Sequence, residues 1–168
     1  MSNIRVFGAL LIFCSCGFAG ILMSQTYLAR SRNLKGFVLA LQLLETEINY
    51  LRTTLPEALL RVAAQTKLPV AKFFSDVADQ LNQNQGISAQ EAWQISLTIL
   101  KENAFAKEDI EAIASFGAAL GVSDSEDQLK HITLLRKYLE NSIQVADEEK
   151  NRNVRLWLYL GFTIGAMV

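Results

Sequence analysis

The chain reads as an all-α protein: a six-helix bundle cytoplasmic domain set between an N-terminal transmembrane helix and a shorter C-terminal membrane segment. Three observations predict this. From Val6 to Ala29 the sequence carries no charge, and about 20 apolar residues, rising about 1.5 Å each as a helix, cross the hydrocarbon core of a bilayer. The region that follows is rich in Leu, Ala, Gln, Glu and Lys, has its only prolines at Pro56 and Pro69, and holds no alternating β-branched run long enough for a strand. The helix-opening spacing S/T-x-x-E recurs at Thr54–Glu57, Ser88–Glu91 and Ser123–Glu126.

The first element, residues 6–29, reads as an uncleaved transmembrane anchor. A cleaved signal peptide shares its basic start, Arg5, but has a shorter apolar core and a small-x-small cleavage site, which Ser24 to Ala29 does not offer. A lipoprotein signal needs a small residue before its cysteine. Phe13 precedes Cys14, and Phe13 and Cys14 stand where Cys16 would need an aliphatic and a small residue. A buried core helix would carry a polar stripe, and this run has none. Arg30, Arg32 and Lys35 follow the run against Arg5 alone before it, which places the following domain in the cytoplasm.

The domain, residues 30–155, divides into six helices. In the first, about Leu34 to Thr53, Leu41, Leu44, Ile48 and Leu51 recur at three- and four-residue steps as one apolar stripe. Thr54 and Glu57 are expected to cap the second, about Pro56 to Gln65, with proline in its first turn. The third opens near Pro69 and buries Val70, Phe73, Phe74, Val77, Ala78 and Leu81. Asn82 to Gly86 form a polar loop, and Ser88 and Glu91 open the fourth helix, through Lys101. The fifth, about Lys107 to Leu120, stops at Gly121, a left-handed cap. The sixth, about Asp124 through Lys150, presents Ile132, Leu135, Leu139, Ile143 and Ala146 to the core and runs on into the apolar tail. Roughly 120 residues suffice for one core, so one domain with no internal linker is expected. Residues 156–168 are uncharged but cover only roughly 20 Å as helix, an incomplete span with Trp157 and Tyr159 at its entry. The competing reading is an apolar helix packed on the domain.

Charge is unevenly placed. Residues 36–149 hold all 17 acids against 9 bases, a net of −8. The other bases flank the apolar segments: Arg5, Arg30, Arg32 and Lys35 at one end, Lys150, Arg152 and Arg155 at the other. Such basic feet suit anionic lipid heads. An acidic body without a basic stripe argues against nucleic acid. Nothing in the sequence assembles an active site or a cofactor site. His131 is the sole imidazole and reads as a surface residue, and both cysteines, Cys14 and Cys16, lie in the apolar run. There is no phosphate-binding loop, no G-x-S-x-G and no H-E-x-x-H. Gly117 and Gly121 are better explained by packing and capping. Glu45 and Glu47, two apart, point to different sides of a helix, and Asp124, Glu126 and Asp127 sit at a helix start, where negative charge suits the macrodipole; either group holds a divalent ion only if other carboxylates converge, and a solvated acidic surface is the simpler reading. A binding or scaffolding role, not an enzyme, is expected.

Two motifs carry a resemblance. LQLLETEINYLRTTLPEAL, Leu41 to Leu59, and FGAALGVSDSEDQLKHI, Phe116 to Ile132, together resemble the stage III sporulation protein AB family of endospore-forming bacteria, as do the closing RLWLYLGFTIGAMV and the anchor–helices–anchor layout. The last apolar segment departs from the family in being less than a full span. The resemblance implies a component of the complex linking mother cell and forespore, similar to the inner-membrane platform protein of type II secretion and type IV pilus systems. It implies a secretion-ATPase-like partner, stage III sporulation protein AA, with other membrane proteins of the complex and the lipid bilayer as neighbours, and it leaves a homo-oligomer open. It places the protein in the mother-cell membrane around the forespore. Of the positions matching the family pattern, Glu45, Glu47, Asp124 and Gln128 are the candidates for partner contact, with salt bridges inside the bundle as their rival explanation. The competing function is a membrane-tethered helical regulator with no secretion role.

Overall fold

The computed structural model describes residues 28–51, 53–83, 86–120 and 125–166, with side chains over 28–49, 53–83, 86–120 and 127–149. All the regular structure within them is helical, in six elements. α1 runs over 28–46 and closes in a π-helical turn, Glu47–Leu51. Then follow α2 (Leu55–Gln65), α3 (Val70–Gln83), α4 (Ala89–Lys101), α5 (Lys107–Gly117) and α6 (Ser125–Ala166). From α2 to α6, each packs on the next in chain order.

α1 lies at the centre. Leu34, Phe37, Ala40, Leu41 and Leu44 are fully buried along it. The Phe37 ring meets Phe73 and Phe74 of α3 at centroid distances of 5.7 and 5.4 Å, and stands edge-on to Trp93 of α4 and to Phe105. Phe73 and Trp93 cross at 4.7 Å in a T-shape, the arrangement that the ring quadrupoles favour. The Trp93 indole donates to the Ile113 carbonyl of α5 at 2.9 Å, so its polar edge is satisfied inside the core. α5 comes close because Gly117 faces the same indole; a Cβ there would fall inside the ring's van der Waals surface. Packing is therefore the role of Gly117, as its spacing predicts, while Gly121 lies outside the described residues.

Helix ends follow the sequence in part. Ser88 and Glu91 form the predicted capping box: Ser88 Oγ accepts from the Glu91 amide at 3.1 Å, and the Glu91 carboxylate accepts from the Ser88 amide at 2.9 Å. Thr54 does not do this. Its backbone is extended as an N-cap requires, but its side chain makes no cap bond, and Glu57 is turned to Arg61 one turn on, at 2.8 Å. α1 departs from expectation too. It does not stay α-helical to Thr53 but widens into the π turn at Glu47. α5 ends at Gly117, and residues 118–120 tighten into i→i−3 bonds instead of extending the helix to Leu120. The Ser123–Glu126 box falls outside the described residues and side chains.

α6 is a single helix of 42 residues. Its core stripe is as predicted, with Ile132, Leu139 and Ala146 fully buried, Leu135 nearly so and Ile143 partly. Residues 156–166 continue it without a break, so the tail is no separate element up to Ala166. Among the described residues no helix is long and apolar enough to cross a membrane. The run from 6 to 27 and the last two residues lie outside them.

Candidate functional site

The polar side chains that the fold buries gather where α1 begins. Among the described residues Ser31, Asn33 and Asp109 are buried there, with Glu47 and Ser96 the other buried polar positions. We call this end the base of the bundle. Asp109 is brought to it by the start of α5. At the third residue of that helix, its Oδ2 accepts from the Ala106 amide at 3.0 Å and fills one of the donors left open at a helix N-terminus. The same carboxylate, fully buried, takes both arms of Arg30: Nε at 2.9 Å to Oδ2 and Nη2 at 3.2 Å to Oδ1. The fork of the guanidinium matches a carboxylate in this bidentate manner, and a lysine could not replace it. That hydrogen bond, reinforced by the charges of Asp109, Glu149 and Glu108, raises the Arg30 pKa above its ordinary value although burial opposes it. Arg30 also reaches Glu149 of α6 at 3.4 Å. One side chain thus ties α1 to both α5 and α6.

The neighbours on α1 repeat the pattern. Ser31 donates to Asp147 Oδ1 of α6 at 2.8 Å, and Lys35 donates to Oδ2 of the same residue at 3.0 Å. Asn33 donates to the Asn103 carbonyl in the α4–α5 connection at 2.8 Å. Ala104 follows with φ 48°, in the left-handed region, turning the chain back toward α5. Farther along α1, Glu45 accepts from Arg136 of α6 at 2.9 Å. Residue numbers rise along α1 as their partners' numbers fall along α6, so the two helices are antiparallel. α1 begins, and α6 passes out of the bundle, at the same end.

The predicted site residues fall into three groups. Of the contact candidates, Glu45 is joined to Arg136, and Glu47 is buried in the π turn with Thr53 Oγ1 at 3.3 Å and Arg61 at 3.6 Å. The two carboxylates face different helices, α6 and α2, as their spacing predicts. Gln128 sits half-buried on the first turn of α6, and Asp124 lies outside the described residues. Of the basic feet, Arg30 and Lys35 have their charges engaged inside the domain, Arg32 is exposed, and Lys150, Arg152 and Arg155 are placed on α6 by backbone only. His131 is exposed. Among the described residues no three potential metal ligands converge. The fold does not bring Glu45, Glu47 and Gln128 into one cluster. The cluster it does build uses Asp109, Asp147 and Glu149, which sequence reasoning passed over. Only Asp109 had a local signal, an acid three residues past a helix start. Its partner is 79 positions away and left none.

The chain is similar to known proteins. The model of the family described as Stage III sporulation protein AB matches residues 5–168. The chain is 33% identical over 166 residues to stage III sporulation protein AB of Bacillus subtilis (strain 168), covering 98% of this chain and 96% of that one. It is also similar to a solved structure of stage III sporulation protein AB, with a TM-score of 0.69 and 35% identity over 74% of this chain and 98% of that chain. The names of these relatives describe a sporulation protein and no catalytic activity.

Proposed function

Because this chain belongs to the stage III sporulation protein AB family, we propose that it acts as a membrane-tethered platform in the sporulation complex joining mother cell and forespore, and that its helical domain docks a cytoplasmic, secretion-ATPase-like partner, stage III sporulation protein AA. The observation that carries this reading is the antiparallel pairing of α1 with α6. It sends the chain toward both apolar segments from one end of the bundle, the base. A domain held at one end by two membrane segments presents its other end to the cytoplasm. At the base, Arg30 and Lys35 join the start of α1 to α5 and α6 through Asp109 and Asp147. The acidic surface offers charge complementarity to a basic partner face, and no phosphate-binding loop gives the chain ATP chemistry of its own.

Two measurements test this. With Cys14 and Cys16 replaced, Asn84→Cys should resist an impermeant thiol reagent in intact cells and react after lysis, while the chain stays with the membrane through carbonate extraction. Labelling in intact cells would falsify the orientation. The detergent-solubilised full chain should bind purified stage III sporulation protein AA, more tightly at low salt than at high. If affinity isolation from sporulating membranes returns a different soluble protein and no AA, the tethered-regulator reading replaces the platform.

A further inference from the structure

We propose that the α2–α3 turn is a lipid contact: Leu68 enters the headgroup layer of an anionic membrane, with Lys67, Lys72 and Arg32 on the lipid phosphates around it. The proposal rests on the platform reading, which directs the base toward the membrane. Leu68 is 74% exposed, more than any other large apolar side chain among the described residues. Lys67, Lys72 and Arg32 are exposed as well, and none has an ion-pair partner among the described residues. The sequence adds a second sign. No acid occurs from residue 58 to residue 75, in a domain whose residues 36–149 carry a net of −8.

The fold puts this turn in the half of the bundle nearest the base. α2 runs back from the end of α1: Arg61 meets Glu47, and the helix stops one turn later at Gln65. Gly36 of α1 then faces Val70, the first residue of α3, and a Cβ on Gly36 would lie 3.5 Å from Val70 Cγ2. Val70 is thus level with Gly36, about 12 Å along α1 from residue 28. Arg32 stands one helical turn nearer the base, on the same side of α1. Arg32 and the α2–α3 turn therefore belong to one corner of the domain. The α4–α5 connection, held to α1 by the Asn33–Asn103 bond, differs: Lys101, Glu102, Lys107 and Glu108 around it are of both signs. An anionic leaflet repels the acidic body and attracts the basic corner. The domain leans toward that corner, which brings the turn down to the headgroups. There the lysine stems cover apolar surface while their ammonium groups reach phosphate, and Leu68 buries its side chain at the acyl boundary. Free phosphate would match the charges but offers no layer for Leu68 to enter.

The test uses the full chain, with Cys14 and Cys16 replaced by alanine, reconstituted into phosphatidylcholine vesicles with and without phosphatidylglycerol. A nitroxide attached at Leu68→Cys reports its surroundings, because oxygen collects in the bilayer and a polar nickel complex stays in water. With phosphatidylglycerol, the ratio of oxygen to nickel collision rates should rise about threefold over phosphatidylcholine alone. Adding Lys67→Glu and Lys72→Glu should return it to the phosphatidylcholine value and leave the circular dichroism melt unchanged, since both side chains are exposed. A nitroxide at Leu134→Cys, exposed on α6 two residues before the Glu45–Arg136 pair and far from the base, should stay in water in both vesicles. A label at 68 that stays in water in both vesicles overturns the proposal. So does shielding that is equal in both and ignores the charge reversals, or shielding from oxygen and nickel alike, which marks a protein surface such as a second copy. Carbonate extraction separates this from the platform reading. A chain that resists extraction with residue 68 in water loses only the lipid contact, and a chain that is extracted loses both.

Discussion

The aromatic core and the ionic base hold the same helix, α1, in place by different means. In the core, Phe37 touches residues from α3, α4 and the α4–α5 connection, and the contacts are non-directional and mutually redundant. At the base, Arg30 holds Asp109 in one bidentate geometry and reaches Glu149 besides, and Asp109 has no exposure to water with which to recover if Arg30 leaves. The core decides whether the bundle forms. The base decides how α1 is angled and joined to α5 and α6, because directional bonds fix orientation where apolar contacts only require burial.

The comparison can be broken first at the core. Phe74→Asp places an unpaired carboxylate at a fully buried position, a cost of several kcal/mol against a domain stability of about 5–15 kcal/mol. The soluble domain carrying it should lose its cooperative helical melt by circular dichroism. At the base, Asp109→Ala strands Arg30 and opens a helix donor. Breaking such a pair costs about 3 kcal/mol, and Asp109→Ala should lower the melting temperature while leaving the helical signal intact at low temperature. A fragment starting at Asn33 discards Arg30 and Ser31 and should melt below one starting at residue 28. Equal melting temperatures would remove the base from the account. Next comes the Glu45–Arg136 pair, about a quarter exposed on both sides. Glu45→Lys should cost about 1 kcal/mol or less, and the added Arg136→Glu should restore it. If the swapped pair restores stability but not binding to the ATPase-like partner, Glu45 is a contact residue; if it restores both, the ion pair is its whole role. The smallest effect is at Ser88 and Glu91. The hydrogen bonds from the Ser88 amide and hydroxyl lower the Glu91 pKa. Its contribution is therefore full above the unfolded value of about 4.3 and lost as pH falls through the lower folded value. Glu91→Gln should flatten the acid limb of a stability-versus-pH curve slightly, and a steeper limb would contradict the box.

What could be read in the sequence follows the range of the interaction. The buried stripes of α3 and α6 were legible because helical periodicity is local, and the Ser88 box because it spans three residues. The Thr54 box was equally legible and is absent, since Arg61 one turn along competes for Glu57. The π turn at Glu47 had no local signature; the ion pair to Arg61 and the bond from Thr53 that accompany it come from the following helix and connection. The base was hidden for the same reason at greater distance. Arg30 and Lys35 read as lipid-facing feet because their partners stand 79 and 112 positions on, beyond any spacing rule.

α6 has a mechanical consequence. A helix of 42 residues is about 63 Å long and without proline has no preferred point of bending. One end lies beside the α5–α6 connection, farthest from the base, and the other beyond the base. The cluster of Arg30, Asp147 and Glu149 grips it between these ends. Were α6 to tilt by about 5° there, the distal tip would move through about 3 Å over the roughly 35 Å that separate them at 1.5 Å per residue. If the helix stays straight, the residues on the other side of that cluster turn in the opposite sense.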